Sequence, residues 1–463
     1  MSSAVGFVAD PASFRDPLGR VYVERGRVLR AMTGSASEDH QAARYLLDPL
    51  EKAGRIVKSS PVVAPDLGAH VVEHPKLPII TYPYEWCFDA LRDAALLHLD
   101  LQLDLLEGGF ALTDASAFNV QFVGHQPMFI DVTSIRRYVD GEYWGGYRQF
   151  CEQFLYPLLL TSHCGVPFQS WYRGRLSGID GRDLARLLPT SSWFSLRAVL
   201  HVHLHSILED RLRRRAPGVQ RTPQKAMPRS GYLGLLQGLR RWIKNIRDPN
   251  TQGTVWSDYE GDNSYQAEET QSKSRFISTF ISETKPKIAV DLGCNSGLFS
   301  EVALKAGADL VIGLEGDHGA ISRAFARAKE RSLRFQPLLV DLANLAPDQG
   351  WSGTERMSLH RRLKADALIA LAVVHHLTFG SSIPLPVVLK WILSLAPAGV
   401  IEFVPPNDPM VLALSAHRET GHLSYNRDEF VRALEGNATI LRSEVISKTG
   451  RELFQFELKK PSR

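Results

Sequence analysis

KIAVDLGCNSGLFS, residues 287–300, reads as a buried strand, a tight turn and the start of a helix. Ile288, Ala289, Val290 and Leu292 form the short apolar run of a parallel strand covered on both faces. Asp291, Gly293 and Gly297 come next at D-x-G-x-x-x-G spacing. A turn that brings its backbone against a ligand needs residues that accept positive φ, and Asn295 is the most tolerant type after glycine. A glycine turn is unspecific by itself, so its meaning depends on the strands downstream of it.

Downstream, strand and helix patterns alternate. Residues 308–314 (ADLVIGL) read as a second strand ending at Glu315. Residues 335–340 (FQPLLV) read as a third, ending at Asp341 with Leu342 behind it. Residues 367–374 form a fourth that runs into His375 and His376, and 399–404 (GVIEFV) a fifth that contains Glu402. A closing hairpin is expected across Gly450. Repeated βα units imply a mostly parallel sheet with helices on both faces, whose ligands sit beyond the carboxyl ends of the strands. The ends carry a glycine turn, then an acid suited to a ribose diol, then an acid placed to accept from an exocyclic amine. A pyrophosphate binder would use the same turn.

This order resembles the class I S-adenosylmethionine-dependent methyltransferases, whose Rossmann-like α/β fold carries a seven-stranded sheet. The resemblance covers residues 253–463 and implies S-adenosylmethionine as the cofactor. It implies a methionine end at Asp291, Gly293, Cys294, Asn295 and Gly297, the ribose at Glu315, and the adenine at Asp341 and Leu342. His375 and His376 would face the acceptor by the same resemblance, and Glu402, an acid inside the fifth strand where an inward one is unusual, is expected to face the site as well. Across nearly the whole chain, YPYEW (82–86), DASAFNVQF (114–122), FIDVTS (129–134), HHL (375–377) and EFVPPNDPM (402–410) resemble the nodulation-protein NoeA type of methyltransferase. That resemblance implies methylation in polysaccharide or signal-molecule biosynthesis without fixing an acceptor; the expectation taken here is a small-molecule or glycan acceptor, methylated at oxygen.

The first half reads differently. Two short strands over 14–32, a helix over 37–50 capped by Ser37, and strands within 71–82 suggest a small sheet with one helix. A long amphipathic helix over 86–106 then precedes LTDASAFNVQFVGHQPMFIDVTSI, residues 112–135. Asp114 and Asn119 lie five apart in a loop, and Asp131 comes after a hairpin. This spacing resembles the catalytic and metal-binding loops of protein-kinase-like and aminoglycoside-phosphotransferase-like enzymes. By that resemblance residues 1–210 form a two-lobed α+β domain, with a small lobe over 1–85 and a helical lobe over 86–210. Asp114 matches the base, and Asn119 and Asp131 match ligands of Mg-ATP. The departures are a missing glycine-rich loop and the absence of any lysine before Lys52, which leaves Arg30 as the stand-in for a phosphate-contacting lysine. A bland hairpin with carboxylates at its turns is the alternative.

Residues 211–252 read as a basic linker and then an amphipathic helix over 231–246. Such a helix can lie on an anionic membrane surface, although packing between domains is the plainer reading. His201, His203 and His205, two apart, spread over different faces of a helix and do not converge on a metal.

Composition bounds the rest. The 463 residues suggest two or three domains, and 44% hydrophobic with 22% charged residues is ordinary for a globular chain. A net charge of +4 does not argue for nucleic acid. Four scattered cysteines, at 87, 151, 164 and 294, fit a reducing compartment, and no signal peptide or membrane span is visible, so a cytoplasmic location is expected. Three functions stay open: a methyltransferase with an N-terminal scaffold, a bifunctional enzyme with an active phosphotransferase, and a non-catalytic nucleotide-sensing or interaction protein.

Overall fold

The computed structural model describes residues 7–204, 226–251, 264–415 and 425–459. The chain divides into two compact units. One comprises Met1–Phe122, Pro127–Pro249 and Asp348–Arg356; the other comprises Val123–Gln126, Asn250–Pro347 and Met357–Arg463.

In the first unit, β1 (Gly19–Glu24), β2 (Arg27–Met32), β3 (Ser60–Val62) and β4 (Val71–His74) form an antiparallel sheet in the order β1-β2-β4-β3. The β1–β2 turn is Arg25-Gly26, both at positive φ, the conformation that matches strand twist in a two-residue hairpin. The helix expected over 37–50 is two helices, Gly34–Ala42 and Arg44–Lys52. Its cap is Thr33, whose Oγ1 accepts from Ala36 N–H at 3.4 Å; Ser37 lies buried inside the first helix. The long helix Phe88–Glu107 buries twelve side chains and ends at Gly108-Gly109. After it come β5 (Phe110–Leu112), the hairpin β6 (Val120–Val123) with β7 (Gln126–Phe129), and β8 (Ile135–Arg137) paired antiparallel to β5.

Residues 211–225 of the expected linker lie outside the described residues. The amphipathic helix, Arg229–Asn245, is part of the first unit and packs on Phe88–Glu107. Tyr232, Leu236, Leu239 and Ile243 are buried there, at about 1.5–3 kcal/mol for each aliphatic side chain. Tyr232 Oη accepts from Gln102 Nε2 at 2.7 Å, and Arg240 pairs with Asp100. The apolar side that would have entered a membrane is therefore occupied by protein. Among the described residues no helix is long and apolar enough to cross a membrane.

His201 Nδ1 lies 2.7 Å from Tyr147 Oη, while His203 Nε2 lies 2.8 Å from Ser192 Oγ and stacks on Trp193. The two rings have separate partners, as their spacing implied; His205 lies outside the described residues.

The second unit holds a seven-stranded sheet. Its strands are β9 (Ile288–Leu292), β10 (Leu310–Glu315), β11 (Phe335–Leu339), β12 (Ala367–Ala370), β13 (Ala398–Phe403), β14 (Ala438–Val445) and β15 (Glu452–Leu458). The order is β11-β10-β9-β12-β13-β15-β14, with β15 antiparallel to both of its neighbours and the other pairings parallel. β9 to β12 are buried almost throughout, which is why they read as apolar runs without alternation. Register aligns the strand ends. Leu314 and Ala370 both lie opposite Leu292, Leu339 lies opposite Glu315, and Ile401 lies opposite Ala370. Gly293, Glu315, Leu371 and Glu402 thus sit at one level of the carboxyl edge, with Asp341 slightly beyond it.

Candidate functional site

The turn after β9 is built from left-handed residues. Gly293, Asn295 and Gly297 have φ of 67°, 48° and 82°. A Cβ on Gly293 would meet Val373 Cγ2 at 2.5 Å, and one on Gly297 would meet Phe335 Cε1 at 2.4 Å. Both positions therefore need glycine for conformation and for space. Gly297 N–H donates to Cys294 O at 2.8 Å and opens the helix Leu298–Lys305.

Glu315 closes on this turn. Its Oε2 accepts from Asn295 N–H at 2.9 Å and its Oε1 from Asp317 N–H at 2.8 Å. Two carboxylate oxygens offer about four acceptor positions, so capacity remains for a diol. Burial raises its pKa above the usual carboxylate range. Asp341 is exposed beyond β11, its Oδ1 accepting from Ala343 N–H at 2.9 Å, and Leu342 is half-buried beside it. The turn, Glu315, Asp341 and Leu342 are thus brought to adjacent strand ends.

Two residues expected at the methionine end face inward. Asp291 is buried and accepts from Ser300 Oγ at 2.6 Å, tying β9 to the helix behind it. Burial raises its pKa to about 7. Cys294 is buried with its Sγ 2.7 Å from where a Gly313 Cβ would stand, and burial pushes its thiol up. Both brace the turn from within the fold, Asp291 through Ser300 and Cys294 by packing against the strand at Gly313.

On the other side of β9, His375 is 1% exposed, and neither ring nitrogen has a hydrogen-bond partner among the described residues. Burial lowers its pKa to about 3, with His376 and Arg451 adding to the effect. His376 is half-buried, its ring centroid 4.3 Å from that of His375, and burial, then Arg451, lowers its pKa as well. Glu402 is fully buried and ion-paired, with no surface open to a ligand. Its Oε2 accepts from Ala372 N–H at 3.0 Å, and its Oε1 lies 3.1 Å from Lys273 Nζ and 3.7 Å from Arg451 Nη1. Arg451 also donates to both carboxylate oxygens of Asp408, at 2.7 and 2.9 Å. Asp408, which reads as a turn former, is thus also an ion-pair partner. Lys273 and Arg451 escaped sequence reasoning. An E-x-x-x-K pair looks like any solvated helix face, and nothing local links Arg451 to a strand some fifty residues earlier.

In the first unit Arg30, Asp114, Asn119 and Asp131 converge. Arg30 Nη1 donates to Asp131 Oδ1 at 2.8 Å and to Thr133 Oγ1 at 3.0 Å, and its Nη2 donates to Ile130 O at 3.0 Å. Asn119 Nδ2 donates to Asp114 Oδ2 at 2.9 Å and to Asp131 Oδ2 at 3.2 Å. Burial, with Asp131 nearby, raises the Asp114 pKa. The residues do not fit Mg²⁺ as arranged: a guanidinium holds one oxygen of Asp131, and an amide N–H₂ holds the other. No group of three or more His, Cys, Asp or Glu among the described residues could hold a metal ion.

No protein-family model matches the chain. The chain is 40% identical over 453 residues to nodulation protein NoeA of Rhizobium meliloti (strain 1021), covering 96% of this chain and 95% of that one. It belongs to the NoeA family of nodulation proteins. Solved structures resemble part of it. Magnesium protoporphyrin IX methyltransferase (ChlM) from Synechocystis PCC 6803 with bound SAM is 17% identical at a TM-score of 0.32, over 48% of this chain and 91% of that one. N-methyltransferase NodS from Bradyrhizobium japonicum WM9, in complex with S-adenosyl-L-homocysteine, is 15% identical at a TM-score of 0.32, over 48% of this chain and 98% of that one. Likeness at this distance carries no function across, so the activity of this NoeA-family chain is argued from its own residues.

Proposed function

We propose that the second unit is an S-adenosylmethionine-dependent methyltransferase acting on a hydroxyl of a small molecule or glycan. The observation that carries this reading is the carboxyl edge of the sheet, where a turn of three left-handed residues is tied through Asn295 N–H to Glu315, with Asp341 at the next strand end. The donor chemistry fits. Gly293, Asn295 and Gly297 give close backbone approach, Glu315 has acceptor capacity for a ribose diol, and Asp341 is exposed to accept from an adenine amine. S-adenosylmethionine would supply a methyl group already activated on sulfonium.

What remains for the chain is to hold the acceptor and take its proton. With the methyl group so supplied, the part left to this chain would be to receive the acceptor's hydroxyl proton on an imidazole. His376 is the better acceptor of that proton, being partly accessible, whereas His375 at about 3 binds a proton too weakly near neutral pH. His375 instead packs against the His376 ring, the centroids 4.3 Å apart.

For the first unit we favour a kinase-like scaffold over an active phosphotransferase, because Arg30 and Asn119 already occupy both oxygens of Asp131. Calorimetric titration of the whole chain with S-adenosylmethionine, and separately with Mg-ATP, tests both statements. Binding of the first alone is expected. No binding of S-adenosylmethionine would overturn the methyltransferase reading, and ATP turnover abolished by Asp114→Ala would overturn the scaffold reading.

A further inference from the structure

The turn after β12 carries a strain that the proposed chemistry leaves unexplained. Ala372 has φ of 49°, a conformation costing a residue with a Cβ about 1–2 kcal/mol. Nothing in its side chain rewards that conformation. Its N–H, however, points at Glu402 Oε2, 3.0 Å away. The next residue, Val373, places Cγ2 2.5 Å from where a Cβ on Gly293 would stand. The turn is therefore held on one side by a carboxylate and set on the other against the opening glycine of the β9 turn. His375 and His376 come directly after it.

Glu402 is itself held by charge: its Oε1 makes ion-pair contacts with two cations, without a hydrogen bond among the described residues. It lies inside β13 with no exposure, where an unpaired carboxylate would cost several kcal/mol. Lys273, from the helix Ser264–Thr284, and Arg451, just before β15, stand on its Oε1 side. Each cation has a second acid: Glu269 is 2.9 Å from Lys273 and 3.2 Å from Arg451, and Asp408 chelates Arg451. Five charged groups from four segments thus converge behind one backbone N–H. Replacing such a buried cluster by well-packed apolar residues is often neutral or stabilising, so stability by itself gives little reason for it. Among the described residues its hydrogen bond to the candidate site is the one from Ala372 N–H, and Arg451 and Lys273 also act electrostatically on the histidine pair.

We infer that Glu402 is a positioning residue of the proposed methyl-transfer site, holding the turn after β12 against the Gly293 turn and so fixing both the wall of the donor crevice and the place of the histidine pair. The inference rests on the methyltransferase reading. It assigns Glu402 a hydrogen-bonding role exerted through the backbone, with Lys273, Arg451, Asp408 and Glu269 keeping its carboxylate in place.

Two substitutions separate reach from charge. Glu402→Gln removes the charge but keeps an oxygen at the same distance along the chain. Glu402→Asp keeps the charge but is one methylene shorter and withdraws from Ala372. The probe is S-adenosyl-L-homocysteine, titrated into the whole chain. Glu402→Gln is expected to bind within about threefold of the unaltered chain, and Glu402→Asp at least about tenfold more weakly, near 1.4 kcal/mol. The reverse order, or equal affinities for all three, overturns the inference. Asp366→Ala is the control: its Oδ2 accepts from Ile288 N–H at the amino edge of β9, so it perturbs the same strand away from the crevice and leaves affinity unchanged. If the unaltered chain does not bind the probe, the methyltransferase reading fails by itself. Hydrogen exchange then still tests the turn, with faster exchange of the Ala372 amide in Glu402→Asp expected and unchanged exchange contradicting it.

Discussion

Gly297→Ala isolates the sterics of the β9 turn. Alanine at φ of 82° costs about 1–2 kcal/mol in backbone strain. Its Cβ would also stand 2.4 Å from Phe335 Cε1 and 3.1 Å from Cζ. Phe335 is fully buried at the start of β11, so relief requires moving a packed ring, a further 1–3 kcal/mol, roughly. The sum is about 2–5 kcal/mol against a typical domain stability of about 5–15 kcal/mol. Gly26→Ala supplies the reference: it has nearly the same φ, 84°, but nothing lies within 4 Å of its added Cβ. Urea unfolding monitored by circular dichroism, with both units free to show separate transitions, reads the difference. Gly297→Ala is expected to lower the midpoint of the second unit more than Gly26→Ala lowers that of the first, by about 1–3 kcal/mol when converted through the slope. Phe335→Leu in the Gly297→Ala background should recover part of that difference, since the two residues share the clash. If the two glycine variants are equally destabilised, or if Phe335→Leu recovers nothing, the steric account of the turn is wrong.

Two more outcomes concern buried titratable groups. His98 is fully buried among Phe129, Trp144, Phe150 and Phe154, neither ring nitrogen has a partner among the described residues, and burial lowers its pKa to about 3. A depressed histidine withdraws stability as pH falls from about 6.5 toward 3. His98→Phe should therefore stabilise the first unit by about 1–2 kcal/mol at pH 7, and by more at pH 5; thermal unfolding at the two pH values checks this, and a gain that is absent or the same at both contradicts it. Asp291 behaves oppositely. Its pKa is raised to about 7, so the stability it contributes is full below about pH 4 and declines as pH rises through 7. Asp291→Asn should flatten that decline between pH 5 and pH 8 in denaturant titrations of the second unit, and an unchanged slope would count against the burial argument.

How much was legible in the sequence depended on whether the signal was local. The second unit's strands announced themselves because burial on both faces forces continuous apolar runs such as Leu310–Leu314. Glu315 and Asp341 were legible because they interrupt those runs at their ends. In the first unit, β3 escaped notice: Ser60–Val62 is an edge segment containing Pro61, short and partly exposed, so composition argued against a strand. The helix split at Ala43 had no warning residue, and Thr33 outcompeted Ser37 as the cap because the chain leaves β2 at Met32 and turns at once. Arg30 was found by elimination of lysine, and its partners by spacing. What could not be read was the company of Glu402. Its position in β13 was plain, but Lys273 and Arg451 reach it from segments more than a hundred residues before and nearly fifty after. Charge pairing at that separation is fixed by the fold alone.

Hydrogen–deuterium exchange of the whole chain, with and without saturating S-adenosyl-L-homocysteine, asks most directly where the nucleoside goes. Protection should concentrate in peptides covering 293–297, 315–317 and 341–343, with the first unit unchanged. Protection confined to the region of Arg30, Asp114 and Asp131, or no protection at the β9 turn, would show that the carboxyl edge of the seven-stranded sheet is not the donor site.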